Sequence, residues 1–515
     1  MAFTLGLTSL GGFSLYLLSG AVILAAIWLY RTWGKQSHVP GPFLASISNL
    51  PRLVWGGSGQ AHVVHIDLHQ KYGNLVRLGP NCISVGDPLE VPKIYGTSTS
   101  FGKSDFYKTL QPMIGGRRIP GLFHTQDNDV HRALKKPIAG IYSMTNLVEF
   151  EPRVDSTIRF LLQRLDDTQK ADPSGSVDLG TWLQWFAFDV MGEITFSKRL
   201  GFLDEARDIE GIMGSIWDGL VKVSYLGQMP WLELIWLKNP YVNRLRKATN
   251  SPIVSFGQQR ARERANVKDD SSKGYNSKDF LSRFLDIRAN NPAAIPEWYI
   301  TVWTQSNMFA GSDTTAIMLR TIIYYLVKNP TTLAKLGAEL ASARAAGRLS
   351  AIATWKETRE MPYLDACVKE AGRLHPVIGL ALERVVPKGG AEICGKRFAE
   401  GTIVGMNPWV VHRNKEMFGE DADCWNPDRW LLCDKERRVA MERSLLTFGS
   451  GHRICLGKNI SYLEIYKLIP TLFSTYEISL TNPDQDWVLS NHWLVTQKGL
   501  DVKLKRRDLV ADLAV

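Results

Sequence analysis

Cys455 is the side chain of this sequence with the most chemistry within reach. It stands in the run Phe448-Gly449-Ser450-Gly451-His452-Arg453-Ile454-Cys455-Leu456-Gly457. This glycine-rich loop comes just ahead of a segment where Leu456, Ile460, Leu463, Tyr466, Ile469 and Phe473 recur at helical spacing. A thiol at a helix N-terminus meets the positive end of the macrodipole and free backbone N–H groups. Both favour the thiolate, the form that ligates metal. Gly449, Gly451 and Gly457 remove side chains where a flat cofactor must approach the backbone. Arg453 is placed to pair with an acidic group on such a cofactor. The bland alternative is an inert, buried cysteine in front of a helix.

Two further constellations lie upstream. The pattern from Pro296 to Lys328 is helical throughout and breaks only at Asn329-Pro330. At its centre is Ala310-Gly311-Ser312-Asp313-Thr314-Thr315. A glycine and two threonines weaken a helix locally, and a buried aspartate is costly without a partner or a task. Taken alone, a helix end near Gly311 explains the stretch better. In Tyr363 to Pro376, Glu370 and Arg373 stand three apart, share a helix face and can pair, as on any helix.

Together and in this order, these stretches resemble the cytochrome P-450 family. Phe448, Gly451, Arg453, Cys455 and Gly457 fill every fixed position of its haem-binding signature, and Ala310 to Thr315 is similar to its oxygen-binding helix. Glu370 and Arg373 resemble its buried glutamate–arginine pair, which a second arginine completes from Pro427-Asp428-Arg429. The resemblance implies that Cys455 holds haem iron and pushes electron density toward bound oxygen, favouring O–O cleavage. Ala310 and Gly311 would leave room for dioxygen, Asp313 would relay protons and Thr314 would donate a hydrogen bond to the bound oxygen. Glu370, Arg373 and Arg429 would form a structural lock.

By the same resemblance, Arg132, in a helix capped at Asp127, and Arg384 would pair with haem propionates, with Asn128 standing where the family has a tryptophan. Val377 to Leu382 would line the substrate cavity. The turn between Asn491–Val495 and Leu500–Leu504, which alternate like a hairpin, would be the last substrate contact. Gly227 to Leu232 and His124 to Pro137 resemble pisatin demethylase-like fungal members.

These parts need a large scaffold. The chain has 515 residues, 45% hydrophobic and 22% charged, enough for a core that needs no disulfides. Its six cysteines show no paired or metal-ligand spacing, which points to a reducing compartment. The net charge of +10 is not gathered in one run and no nucleic-acid motif accompanies it. It suits an acidic electron donor or an anionic membrane. Gly11 to Tyr30 is an apolar run of bilayer length followed by Arg31 and Lys35. The expectation is one N-terminal transmembrane helix, with everything after Arg31 cytoplasmic; a cleavable signal peptide is the competing reading, but its basic start and shorter apolar core are not seen.

Residues 1–38 thus read as an anchor with its basic flank, and 39–515 as the catalytic domain. Val39-Pro40-Gly41-Pro42 is the stiff turn between them. Leu75-Val76-Arg77-Leu78 and Ile83-Ser84-Val85 predict a β-hairpin around Gly79-Pro80-Asn81, residues 100–122 an irregular loop, and 147–270 a set of amphipathic helices with a polar loop at Lys268–Lys278. The aromatic cluster after Gly227 either packs in the core or dips into a membrane surface. Asn459-Ile460-Ser461 reads as an unmodified sequon.

The expected fold is mainly α with small β-sheets. The expected activity is insertion of one oxygen atom from O2 into an apolar substrate of moderate size. Electrons would come from a separate NADPH-dependent flavoprotein reductase on the endoplasmic reticulum membrane, because no flavin or nicotinamide fingerprint occurs. A fungal secondary-metabolite pathway is the leading expectation. Detoxification of a plant compound by O-demethylation, and a haem-binding membrane protein without this activity, are the alternatives.

Overall fold

The computed structural model describes residues 19–20, 22–24, 26–114, 117–171, 175–245, 252–265 and 279–507. The polar loop expected at Lys268–Lys278, Gly115 and Gly116, and the first half of the N-terminal apolar run lie outside these residues. Among the described residues no helix is long and apolar enough to cross a membrane. Residues 26–34 are helical, with Trp28 and Tyr30 exposed.

The fold is mainly helical, and its axis is the 31-residue helix Trp298–Lys328. It begins two residues after Pro296 and ends at Asn329, and Pro330 opens the next helix, Pro330–Ala345. At 1.5 Å per residue it is about 46 Å long, enough to cross the domain. From Thr315 to Tyr324 every residue is buried, because other helices cover it on all sides. Leu179–Phe196 lies along it, apolar on nearly every face and therefore sandwiched between this helix and Glu151–Ala171. Pro362–Leu374 and Lys458–Thr475 pack on other sides.

Gly311 does not end the long helix. A Cβ there would stand 2.6 Å from the Met191 sulfur, so the glycine lets Leu179–Phe196 approach closely. The space expected above a cofactor is therefore not what requires a glycine at this position.

The strands are few and short. Leu75–Gly79 and Cys82–Val85 form the expected antiparallel hairpin. It continues through Ile403–Gly405 and Arg384–Val385 to Gly102–Lys103, giving a five-stranded sheet. Val377 to Leu382 joins no strand; only Ile378 forms an isolated bridge, to Leu494. The C-terminal alternation does mark strands, but their partners differ from expectation. Val488–His492 pairs with Leu494–Lys498 around Trp493, whose φ is 78°. Asp501–Arg506 pairs instead with Tyr476–Leu480 and Ser176–Asp178. A period of two fixes which face is buried, not which strand lies alongside.

The N-terminal helix is tied to the sheet. Arg77 is buried, and its guanidinium donates to the carbonyls of Thr32 and Trp33, each at 2.8 Å. A cation on the open carbonyls of a helix C-terminus is favourable on both hydrogen-bond and dipole grounds.

Candidate active site

The Cys455 loop is built by hydrogen bonds and by two left-handed glycines. The Cys455 N–H donates to the Phe448 carbonyl at 2.8 Å, closing the loop on itself. Gly449 and Gly451 have φ of 69° and 63°. A Cβ on Gly451 would fall 1.8 Å from the Tyr95 carbonyl oxygen. These two glycines thus serve the turn and its packing on the neighbouring segment. Gly457 differs: its φ is negative, and a Cβ there would meet open space. Phe448 packs edge-on against Tyr462 at 5.1 Å between centroids. The helix Lys458–Thr475 starts directly after the loop, as its spacing predicts.

Cys455 is accessible at its surface yet surrounded by protein on most sides. Burial pushes its thiol up, while the N–H groups of Gly457 and Lys458, then the ammonium groups of Lys135 and Lys458, pull it down. The balance is upward. The helix-terminus effects are present but burial outweighs them, contrary to the expectation of a thiolate favoured by the protein alone. A coordinating metal deprotonates a thiol outright, so ligation is what would settle the charge.

Around the loop the structure gathers cations without counter-ions. Lys103 and Arg384 are direct cross-strand neighbours in the five-stranded sheet, and both are buried. Like charges in that relation repel. Arg453 is close enough to feel both. Burial and then Arg384 hold Lys103 well below the usual lysine range, and the same two causes bring Arg453 down to about 10. Among the described residues these three form no ion pair. Lys103 donates to the Phe123 carbonyl and Arg384 to the Glu383 carbonyl at 2.9 Å. Arg453 donates to the carbonyls of Thr125, Gln126 and Asp127 at 3.0–3.3 Å and to the Asn128 side-chain oxygen at 2.7 Å. Two buried cations and the half-buried Arg453, all held by neutral oxygens, make a site for anions. With the accessible Cys455 and the open space at Gly457, the residues fit a haem, whose two carboxylates would balance the cluster.

Arg132 is not in that cluster. Asp127 caps the helix Asn128–Lys135 as expected, accepting from the N–H groups of Asp129 and Val130. The stripe facing Cys455, however, is Asn128, His131 and Lys135. Lys135 donates to the His452 carbonyl at 3.0 Å, and the His131 and His452 rings lie 6.4 Å apart. Arg132 is turned about 100° away. It is 73% exposed and pairs with Asp129 at 2.9 Å. Lys103, His131 and Lys135 went unrecognised in the sequence. Lys103 sits in an irregular stretch with no periodicity to orient it, whereas His131 and Lys135 could have been found by testing the other helical register.

On the long helix, Asp313 and Thr314 point in different directions. Asp313 is buried and accepts from the Gln184 amide at 2.5 Å. Gln184 in turn accepts from Arg320 at 2.8 Å. Burial raises the Asp313 carboxyl to about 6; Gln184 and Arg320 oppose the rise. It is therefore poised to exchange a proton near neutrality. Thr314 Oγ1 donates back to the Ala310 carbonyl at 2.8 Å. Its proton is thus spent within the helix, and toward the accessible side the hydroxyl is an acceptor. The expectation that it donates to bound oxygen requires the hydroxyl to rotate. Ala310 is exposed on that same side.

The lock assembles as expected and contains more than expected. Glu370 accepts from Arg373 through both oxygens at 2.8 Å, from Arg429 Nε at 3.0 Å, from the Asn426 N–H at 3.0 Å and from the Trp430 indole at 3.0 Å. Glu370 and Arg373 are fully buried. Arg429 also pairs with Asp421 at 2.9 Å. In the helix behind Cys455, the Asn459 amide of the sequon donates to the Tyr142 carbonyl at 2.9 Å.

Comparison with known proteins agrees with this geometry. A cytochrome P450 family model matches residues 39–505. A cytochrome P450 monooxygenase of Aspergillus terreus is 52% identical over 461 residues, covering 89% of this chain and 93% of the relative. The cytochrome P450 monooxygenase cicH of Emericella nidulans is 48% identical over 493 residues, covering 96% and 98%. The cytochrome P450 monooxygenase mpaDE of Penicillium brevicompactum is 44% identical over 489 residues, which are 94% of this chain and 57% of that longer protein. With its cysteine loop, anion site and buried lock assembled in one helical domain, the chain belongs to the cytochrome P450 family of haem-thiolate monooxygenases.

Proposed function

We propose that this chain inserts one atom of O2 into an apolar organic substrate of moderate size, by hydroxylation, epoxidation or O-demethylation, in fungal secondary metabolism. The observation that carries the reading is the placement of Cys455 beside Lys103, Arg384 and Arg453, which form no ion pair among the described residues. Haem bound there would supply oxygen activation, with Cys455 to hold its iron and Lys103, Arg384 and Arg453 to hold its carboxylates. Asp313, held in place by Gln184 and through it by Arg320, relays protons inward by taking up and releasing its own proton, and Thr314 holds an acceptor toward the reacting side. Electrons come from a separate NADPH-dependent flavoprotein reductase.

Residues 1–38 serve as a single-pass anchor in the endoplasmic reticulum membrane, with residues 39–515 on the cytoplasmic side. Support for membrane contact comes from exposed apolar side chains: Phe43, Leu44, Leu50 and Val54 near the start of the domain, and Trp231, Leu234, Ile235 and Trp236 after the helix Ile212–Leu226. A Cβ on Gly56 would lie 2.4 Å from the Ser224 carbonyl oxygen, so the helices bearing or preceding these two groups are in close contact.

The test is a reduced, carbon monoxide-bound difference spectrum of membranes expressing the chain, with Cys455→Ala beside it. A red-shifted thiolate–haem band is expected in the parent only. Identical spectra would remove Cys455 from its assigned role.

A further inference from the structure

Which oxygen of Asp313 can move a proton is decided from another helix. Gln184 belongs to Leu179–Phe196, which runs along the long helix Trp298–Lys328. Its side chain stands between Asp313 and Arg320, which lie two turns apart on one face of the long helix.

Arg320 clamps that side chain. The guanidinium is buried; its Nε donates to the Gly180 carbonyl and its Nη2 to Gln184 Oε1, each at 2.8 Å. Gly180 and Gln184 are one turn apart, so the guanidinium spans one face of Leu179–Phe196. A Cβ on Gly180 would stand only 3.3 Å from Arg320 Nε. A guanidinium has donors and no acceptor, so the end of the amide that meets it is the oxygen. The amide NH2 is thereby turned to Asp313 and donates to Oδ1 at 2.5 Å. Neither an amide nor a guanidinium gives up a proton near neutral pH, so no proton reaches Asp313 through this clamp. Among the described residues Asp313 and Arg320 form no ion pair, because the amide lies between them.

We propose that Gln184 is a positioning residue for proton delivery: clamped by Arg320, its amide keeps Asp313 Oδ1 an acceptor in both charge states, so that the proton taken up and released is carried on Oδ2. This rests on the monooxygenase reading and names the residue that holds its proton carrier. The charges that act on Asp313 are Arg320 on its own helix and Asp208, ahead of Ile212–Leu226, which favours the protonated form. Asp178, at the start of Leu179–Phe196, acts on Arg320. The other elements that pack on the long helix meet it with Ser461, Gly372, Gly257, Phe284 and Gln497, none of them charged.

The test is an infrared pH titration of the full-length, haem-loaded chain in lipid nanodiscs, with the Asp313 carboxyl band assigned by its loss in Asp313→Asn. In the parent the midpoint is expected near 6. Gln184→Leu removes the donor that favours the charged form, so the midpoint should rise by about one pH unit. The C=O band of the neutral form should also move to higher wavenumber, because Oδ1 loses its hydrogen bond. If this variant does not fold, Gln184→Glu keeps the Arg320 clamp and sets a second carboxylate against Asp313, which should raise the midpoint by about two units. The pH midpoint of substrate-free NADPH oxidation, with a flavoprotein reductase added, should move by the same amount. A variant that lowers the unfolding temperature but leaves the Asp313 midpoint in place overturns the proposal. So does an oxidation profile that ignores a shifted Asp313. A parent that lacks the thiolate–haem band but shows the infrared shifts fails only the monooxygenase reading. A parent with the band and no shifts fails only this one.

Discussion

Two clusters of buried charge sit in this molecule and are built on opposite terms. Around Glu370, the carboxylate receives five hydrogen bonds, and the arginines it holds fill their remaining donors with carbonyls of the 412–424 stretch and with Asp421. Around Lys103, Arg384 and Arg453, three cations each rest on neutral oxygens and repel one another. The first cluster is complete as the chain folds, so its energy goes into stability. The second is complete only with an anion that the chain does not encode, so its energy is reserved for a ligand. Charge balance among buried residues therefore separates a structural device from a binding one, even when both are made of arginines.

The largest expected effect tests the complete cluster. Glu370→Ala leaves two buried guanidinium groups without their anion and should cost about 3–5 kcal/mol or prevent folding; chemical denaturation of the purified domain measures it. A loss under 1 kcal/mol would show that the lock is not what it looks like. For the incomplete cluster the sign reverses. Lys103→Gln removes a repulsion, so the haem-free protein should lose no stability, while haem is held about tenfold more weakly, or ~1.4 kcal/mol. Haem transfer to an acceptor protein reads the second quantity, and thermal unfolding of the apoprotein reads the first. If both fall together, the distinction between the clusters fails.

Asp313 is an intermediate case, a buried carboxyl with one direct donor. Its folded value near 6 lies above its ordinary 3.8. The folded state therefore holds more protons than the unfolded one between those values. The associated stability is present below about pH 4 and is lost as pH rises through about 6. Asp189, also raised to about 6, adds a similar slope, so the informative quantity is the difference between parent and Asp313→Asn. That difference should change by on the order of 3 kcal/mol across the window and then level off. The smallest effect is expected at Arg132. Arg132→Ala should change stability by less than about 0.5 kcal/mol, and haem retention not at all, because its pair with Asp129 is a surface one.

Much of the site could be read in the chain because the haem loop and the lock are local or strongly patterned. Cys455, its glycines and the helix behind it are consecutive. Glu370 and Arg373 are one helical turn apart. What escaped is what depends on tertiary placement. Lys103 acquires its meaning from Arg384, 281 positions away and next to it in the sheet. Arg132 and Lys135 lie on one short helix, and only its rotation decides which of them faces Cys455. Gly311 carries a family motif, yet the contact that demands a glycine there is Met191 on another helix. Free-thiol acidity went the other way because a sequence shows the helix N-terminus and not the depth of burial.

The bond from Arg77 to the last carbonyls of the N-terminal helix also has a mechanical meaning. A chain that leaves a domain through an unpinned turn is a tether and lets the domain swing. Here the guanidinium bolts the helix end to the sheet, so residues 26–34 are a mast with a set angle. Whatever that mast stands in then fixes which face of the domain is turned toward it. Cutting the bolt at Arg77 would leave the chemistry at Cys455 intact and turn the mast into a tether.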